Sequence, residues 1–173
     1  MKIITQRLLI RLFEFDDWRM LQKIAMEFQA SEYRYYDREI PTQTDKIQSI
    51  ARYCAYCGHW FSVELDGEMI GYICLSGEDD SLELGYGFHS SAHGKGYASE
   101  SITALLELLE SIGAAAQFTA GTALDNAPSV RLLKRLGFEQ VREEEVCFYE
   151  GHPFRGGFFV RKCEHTLDGA ERG

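Results

Sequence analysis

The sequence lacks any long apolar run and is poor in basic residues. No stretch approaches the roughly 20 apolar residues that a membrane-spanning helix needs, and no charged segment followed by an apolar one opens the chain. We therefore predict a cytoplasmic protein without a membrane contact. Lysine and arginine number 18 against 27 aspartates and glutamates, for a formal charge of −9. Proteins that bind nucleic acids usually carry clusters of lysine and arginine, so we predict no nucleic acid partner. The net negative charge instead favours cationic ligands such as amines.

The sequence also lacks a regular cysteine pattern, with five residues at positions 54, 57, 74, 147 and 163. An odd number of scattered cysteines does not indicate a disulfide framework. Cys54 and Cys57 have the spacing of a metal or redox motif, although a zinc site would require the C-terminal end of the chain to fold back onto them. The alternative is that Cys54 continues the apolar helical stripe of Ile47, Ile50 and Ala51 as a small core residue. Short motifs often occur by chance, so we favour the core role and predict no metal.

No internal repeat or linker interrupts the chain. Its 173 residues, 45% of them hydrophobic, suit one domain with a sizeable core. We predict that this domain spans residues 1–163 and that the polar residues 164–173 form a flexible tail.

The stretch from Leu82 to Glu100 is the most informative part of the sequence. From 82 to 88, large apolar residues alternate with Glu83, Gly85 and Gly87, which is typical of a strand with one face on a core. Two glycines beside a carboxylate leave the backbone uncovered, which predicts close approach by a ligand or another backbone.

A glycine-rich turn and a helix follow this strand. Gly94-Lys95-Gly96 precedes a helical apolar stripe that begins at Ala98. Free N–H groups at the start of a helix point outward, and the helix dipole favours negative charge there. The turn therefore predicts a ligand that carries phosphate. Its spacing fits neither a Walker loop nor a dinucleotide fingerprint, because Gly96 follows the lysine and Ser99 stands where a third glycine would be needed.

Two helices are predicted in the first third of the chain. After a strand over 5–13, Asp16 or Asp17 caps the first helix. Thr42 begins a predicted capping box for the second helix, which ends near Gly58.

The remaining pattern predicts a sheet with a central parallel pair. Asp66-Gly67 indicates a hairpin, and the helix after the central strand implies a crossover to a parallel neighbour. Asn126 can cap the next helix. Further strands are predicted at 59–65, 68–76, 115–122, 138–149 and 158–163.

Several motifs in one order resemble a known family. His93-x-x-Gly96-x-Ala98 is similar to the pyrophosphate loop of the GNAT superfamily of acetyl-CoA-dependent N-acetyltransferases. The segments 126–129 and 134–138 resemble the next block of that superfamily. The opening 5–11 with Asp16-Asp17, and the segments 83–86 and 94–100, resemble the ribosomal-protein N-terminal (Rim-type) acetyltransferase subgroup.

The resemblance implies a mixed α+β fold with a single GNAT-like domain. Its central sheet would have about seven mostly antiparallel strands and a parallel central pair, splayed at the cofactor site and flanked by about four helices. The implied co-substrate is acetyl-CoA and the acceptor is a primary amine, on a protein N-terminus or a small molecule. The protein would act as a monomer or homodimer.

The resemblance also implies the residues that bind acetyl-CoA. They comprise backbone N–H groups near the thioester, the pyrophosphate loop and the start of the following helix. These residues are Tyr86, Gly87, Phe88, His93, Gly94, Lys95, Gly96, Tyr97, Ala98, Asn126 and Ser129. His93 departs from the family pattern, which has arginine or glutamine there.

The expected chemistry is direct attack of the amine in a ternary complex, without an acyl-enzyme. Glu83 is the candidate general base, and its alternative role is a solvated strand carboxylate. Leu133 stands where many members of the family have a tyrosine that protonates the leaving thiolate. Ser129 is the candidate replacement, although it and Asn126 are also suited to capping a helix.

Three functions stay open at this point. The first is acetylation of a protein or peptide N-terminal amine, the second is acetylation of a small-molecule amine, and the third is a non-catalytic acyl-CoA-binding module. The segment 31–39, with three tyrosines among charged residues, lies where the family places the border of the acceptor site. Its alternative role is a surface loop anchored by aromatic contacts.

Overall fold

One mixed sheet organises the part of the chain that the computed structural model describes, residues 1–77 and 80–163. The tail predicted for 164–173 lies outside these residues. The helices are α1 Trp18–Ala30, α2 Thr44–Cys57, α3 Tyr97–Ser111 and α4 Ala127–Arg135. The strands are β1 Lys2–Ile4, β2 Leu9–Leu12, β3 Trp60–Leu65, β4 Glu68–Ser76, β5 Ser81–Phe88, β6 Gln117–Ala123, β7 Glu139–Val146 and β8 Phe154–Lys162.

The strands follow the order β1-β2-β3-β4-β5-β6-β8-β7 and are antiparallel except for the central pair β5–β6. This confirms the predicted fold, with eight strands in place of about seven. The difference arises at the start of the chain, where a strand was predicted over 5–13. A turn closed by the Thr5 N–H and the Leu8 carbonyl, 2.9 Å apart, separates β1 from β2.

The central parallel pair is short. Only residues 81–83 of β5 pair with 117–119 of β6, and the two strands part after Glu83 and Thr119. Each strand keeps its other neighbour, because β5 pairs with β4 as far as Phe88 and β6 pairs with β8 as far as Ala123. The sheet therefore contains a gap between the end of β5 and the end of β6, as the family resemblance implies.

Helices cover both faces of the sheet. Buried side chains of α3 and α4, such as Ile102 and Leu133, pack with Phe118 of β6 in one core. Buried side chains of α1 and α2, such as Leu21 and Ile47, form a second core on the opposite face. The gap thus has an α3/α4 side and an α1/α2 side.

The glycines of β5 are covered from within the protein. A Cβ atom on Gly85 would lie 2.7 Å from the Cys74 sulfur, and one on Gly87 would lie 2.7 Å from the Tyr72 ring. The predicted close approach is real, but side chains of the neighbouring strand β4 make it. The prediction of a ligand or another backbone at this face is therefore wrong.

The turn and the helix end that were predicted at glycines are present, whereas the helix cap that was predicted at Thr42 is not. Asp66 and Gly67 have φ of 53° and 82°, the pair of positive values that a two-residue hairpin turn of this type requires. Gly58 ends α2 with φ 73°, as predicted. The capping box predicted at Thr42 is wrong, because α2 begins at Thr44 without a side-chain cap. Gln22 of α1 instead donates to the Thr42 carbonyl, 2.8 Å away.

The cysteines are free thiols, and Cys54 is a core residue. Burial raises the pKa of the Cys54 and Cys74 thiols to about 12 each. Within residues 1–77 and 80–163, no group of three or more histidine, cysteine or acidic side chains is arranged to hold a metal ion. No helix in that part of the chain is both long and apolar enough to cross a membrane.

Candidate active site

The edge of β5 presents backbone donors to the gap. The His89 N–H donates to the Ile70 carbonyl of β4, 3.0 Å away, and backbone groups of a strand alternate sides. Tyr86 and Phe88 therefore direct their N–H groups towards the gap. The Gly87 N–H, which was predicted to act with them, is directed towards β4 instead. Two of the three predicted backbone donors remain at the gap.

The loop before α3 has the geometry of an anion site. Gly94 and Gly96 have φ of 70° and 81°, a region that favours glycine. The six N–H groups from Gly94 to Ser99 donate no hydrogen bond to any residue that the structure describes. Together with the positive end of the α3 dipole, they form a site suited to phosphate. The structure thus brings the predicted loop residues together and adds the N–H of Ser99.

Two side chains, Glu27 of α1 and His93 of the loop before α3, form hydrogen bonds with residues at or just after the end of β5. Glu27 of α1 accepts hydrogen bonds from the Ser90 N–H at 2.8 Å and the Ser90 hydroxyl at 2.6 Å. Burial opposes ionisation of Glu27, but these bonds outweigh it and lower the pKa of the carboxyl. The His93 Nε2 atom lies 2.9 Å from the Phe88 carbonyl oxygen. His93 therefore contacts the end of β5, next to the gap.

Arg7, in the N-terminal segment, contacts the glycine loop and the start of α3. Its Nε and Nη2 atoms lie 2.7 and 2.6 Å from Glu100 Oε2 in the first turn of α3. Its Nη1 atom donates to the Lys95 carbonyl, 3.0 Å away. Arg7 was not among the site residues predicted from the sequence. The signal was present, because both Arg7 and Glu100 lie in segments that resemble the Rim-type subgroup.

Tyr86 and Ser129 meet on the α3/α4 side of the gap. The Tyr86 hydroxyl lies 2.7 Å from the Ser129 Oγ atom, which joins β5 to α4. Burial raises the pKa of Tyr86, and the bond to Ser129 partly offsets this. Asn126 Oδ1 accepts the Ser129 N–H at 3.3 Å, so Asn126 caps α4. Leu133, at the position of the usual tyrosine, is 1% exposed and belongs to the core.

Glu83 lies where the two central strands separate. It pairs with Thr119 in the last step of the β5–β6 ladder and is on the α1/α2 side of the sheet. Its side chain is exposed and accepts no hydrogen bond from the residues that the structure describes. A carboxylate in this position can exchange protons with water beside the gap.

The segment 31–39 is anchored by aromatic contacts to the β7–β8 connection. The Tyr35 ring stacks on His152 with centroids 3.8 Å apart, and Tyr36 packs against Phe154 at 5.2 Å. Burial and the negative charge of Asp125, just after β6, raise the pKa of Tyr36. The aromatic contacts therefore hold the segment against the β7–β8 connection and the start of β8.

Comparison with known proteins identifies the family. Residues 7–139 match the acetyltransferase (GNAT) domain family. The chain belongs to this family. This GNAT acetyltransferase is 29% identical over 169 residues to a protein called uncharacterized N-acetyltransferase YnaD, from Bacillus subtilis (strain 168), covering 95% of this chain and 98% of the other.

Two solved structures share the GNAT fold of this chain. An acetyltransferase of the GNAT family from Bacillus anthracis has a TM-score of 0.83 and 24% identity, over 95% of this chain and 99% of its own. RimL, a ribosomal L7/L12 α-N-protein acetyltransferase in complex with coenzyme A, has a TM-score of 0.79 and 16% identity, over 92% and 96% of the two chains.

Proposed function

We propose that this acetyltransferase transfers the acetyl group of acetyl-CoA to a primary amine, most simply a protein or peptide N-terminal amine. The observation that carries this proposal is the row of free N–H groups from Gly94 to Ser99 beside the gap between β5 and β6. A phosphate site and an open strand edge together suit a long donor with phosphates at one end and amide groups along its arm.

The residues around the gap fit the donor from end to end. The glycine loop would hold the pyrophosphate, and the exposed edges of β5 and β6 would pair with the amides of the pantetheine arm. When bound, acetyl-CoA supplies the acetyl group and the leaving thiol. The Tyr86 and Phe88 N–H groups would stabilise charge on the acyl oxygen, a contribution on the order of 3–4 kcal/mol per donor.

Glu83 would accept the proton of the attacking amine, directly or through water. Its exposure and its place at the point where the strands separate support this role. An α-amino group, with a pKa near 8, is already partly neutral at pH 7, whereas a lysine with a pKa near 10.4 is not. A single exposed carboxylate therefore suits an N-terminal amine better than a lysine side chain.

The Ser129 hydroxyl would donate a proton to the leaving thiolate. The residue at the position of the family tyrosine is Leu133, which has no hydroxyl group and is buried in the core, so α4 supplies no phenol there. The Tyr86 hydroxyl, one hydrogen bond away from Ser129, would pass a proton to Ser129 as Ser129 gives up its own, and water would return a proton to Tyr86. Because a thiol has a pKa near 8.5, the thiolate is a fair leaving group and a weak acid suffices.

Thermal unfolding with acetyl-CoA, with NAD and ATP as controls, tests the donor. A ligand at ~100 times its Kd should add about 2.7 kcal/mol of stability, which raises the Tm by several degrees. An equal response to all three ligands, or none to acetyl-CoA, would contradict the proposal.

Turnover then tests the acceptor. Short peptides with a free N-terminus should be acetylated faster than the same peptides with a blocked N-terminus and an internal lysine. Faster acetylation of polyamines or amino acids would establish the small-molecule alternative. Binding of acetyl-CoA with no turnover on any amine would favour the non-catalytic module.

A further inference from the structure

We propose that Arg7 is a positioning residue that sets the glycine loop in its phosphate-binding conformation before the donor arrives. This inference rests on the proposed function, because it concerns the same loop. It adds a residue from the N-terminal segment, 88 positions away from Lys95 in the chain, to the machinery that binds the donor.

One guanidinium contacts both the loop and the helix that follows it. Two guanidinium nitrogens of Arg7 contact the Oε2 atom of Glu100 at 2.6 and 2.7 Å, and the third donates to the Lys95 carbonyl at 3.0 Å. Its Cζ atom also lies over the Tyr97 ring, 4.6 Å from the centroid. The flat, rigid fork of arginine can make these contacts together, whereas a lysine ammonium cannot.

The bond to the Lys95 carbonyl determines where the next N–H points. The Lys95–Gly96 peptide bond is trans, as are all those among the described residues, and in a trans peptide the carbonyl and the following N–H point in opposite directions. With the Lys95 carbonyl directed at Arg7, the Gly96 N–H is directed away from it, where no described residue accepts it. Glycines on either side of Lys95 would otherwise let this peptide rotate freely.

Arg7 also balances a negative charge beside the phosphate site. Glu100 lies in the first turn of α3 and accepts further hydrogen bonds from the Thr5 hydroxyl at 2.6 Å and the Arg7 N–H at 3.1 Å. Burial opposes its ionisation, but these bonds and Arg7 lower its pKa, so it stays charged. Without Arg7, this carboxylate would repel a phosphate at the same helix end.

Two acetyl donors separate this role from a structural one. Acetyl-CoA carries the pyrophosphate, whereas S-acetylpantetheine has the same thioester and arm without it. For Arg7→Ala we expect the KM for acetyl-CoA and the Kd for coenzyme A to rise about ten-fold, the loss typical of one charge-assisted hydrogen bond. The kcat with acetyl-CoA and the kcat/KM with S-acetylpantetheine should stay within about two-fold of wild type.

Further variants show whether the geometry or the charge matters. Arg7→Lys keeps the charge but loses the fork, so we expect it to resemble Arg7→Ala. The double variant Arg7→Ala with Glu100→Gln should bind coenzyme A no more weakly than Arg7→Ala alone, because the carboxylate that would repel the phosphate is gone. Arg19→Ala is the matched control, because Arg19 also pairs with a carboxylate and lies over an aromatic ring.

Three results would overturn the inference. They are an unchanged KM for acetyl-CoA in Arg7→Ala, an equal loss with both donors, and full rescue by Arg7→Lys. A wild-type protein that binds no coenzyme A would overturn the proposed function and this inference together, whereas wild-type binding with a silent Arg7→Ala would overturn this inference alone. Thermal unfolding of each variant checks that it is folded.

Discussion

Arg7 and Arg11 stand four residues apart in one segment, and each contacts a carboxylate through two guanidinium nitrogens. The Arg11 side chain is 13% exposed, and the Arg7 side chain is 42% exposed. Arg11 joins β2 to the start of α1 and to β3, whereas Arg7 joins the N-terminal turn to the glycine loop. The same chemistry therefore serves stability where it is buried and the site where it is exposed.

The buried network is closed on all sides. Arg11 Nη1 and Nη2 lie 2.8 Å from the two oxygens of Asp17, and Nε lies 2.7 Å from Glu64. The Ser62 hydroxyl and the Glu14 N–H also donate to Asp17, at 2.6 and 2.8 Å. The hydrogen bond to Asp17 is the main cause that raises the pKa of Arg11. None of these groups faces the gap.

Removing Arg11 should have the largest effect on stability. Arg11→Ala leaves two mostly buried carboxylates without a counter-charge, which typically costs about 3–5 kcal/mol. We expect a loss of that size in the free energy of unfolding by urea, and a Tm lower by on the order of 10 °C. Arg19→Ala, at an exposed pair, should change stability by less than about 0.5 kcal/mol. Similar losses for the two variants would remove the distinction by burial.

Glu83 extends the comparison to a carboxylate that no described arginine holds. If it is the general base, Glu83→Gln should lower kcat at least about 100-fold near neutral pH, the usual size of this effect. The Kd for coenzyme A should stay the same, because the phosphate loop is untouched. Steady-state rates across pH and calorimetry measure the two quantities. Unchanged rates at every pH would leave Glu83 as a solvated strand residue.

Part of the stability that the protein loses in acid should come from protonation of Asp17, so Asp17→Asn should reduce this loss. Burial opposes ionisation of Asp17, but the bonds from Arg11, Glu14 and Ser62 lower its pKa below the ordinary value. A carboxyl with a lowered folded-state pKa contributes its full stability above the unfolded-state pKa, about 3.9, and loses it as pH falls through the folded-state pKa. The free energy of unfolding by urea should therefore fall less steeply between pH 6 and pH 2 in Asp17→Asn than in wild type. Equal slopes would exclude Asp17 as a source of the acid sensitivity.

Arg7→Ala should change stability least. Exposed ion pairs contribute about 0–1 kcal/mol, so the urea midpoint should shift little while the affinity for coenzyme A falls. In the wild type, adding 1 M salt should weaken the exposed Arg7–Glu100 pair far more than the Arg11 network, because salt screens exposed charges first. A loss of stability as large as that of Arg11→Ala would show that Arg7 serves the fold as well.

Local signals in the sequence predicted much of the fold. Asp66-Gly67, Gly58 and the stripe of α3 depend on residues close in the chain, and the structure confirms each of them. The box at Thr42 failed because a side chain from another helix, Gln22, uses the carbonyl there. The break at Thr5 also went unseen, because a turn of four residues interrupts a pattern that alternates almost continuously.

The site could be predicted where one segment builds it. The loop from Gly94 to Ala98 carries its own glycines and helix start, so a phosphate-binding role could be predicted for it from the sequence. The contacts of Arg7 with Glu100 and of Tyr86 with Ser129 were not, because they join residues 93 and 43 positions apart.

By itself, the sequence determined the family and the order of the strands and helices from β2 onwards, and it predicted the anion loop, because periodicity, glycines and short motifs are local properties. The tertiary structure decided which arginine is buried, which strand groups face the gap and which side chains meet across it. Those outcomes depend on the way in which distant segments pack against each other. Arg7 and Arg11 lie in one short segment, and only the formation of the sheet leaves the first exposed and buries the second.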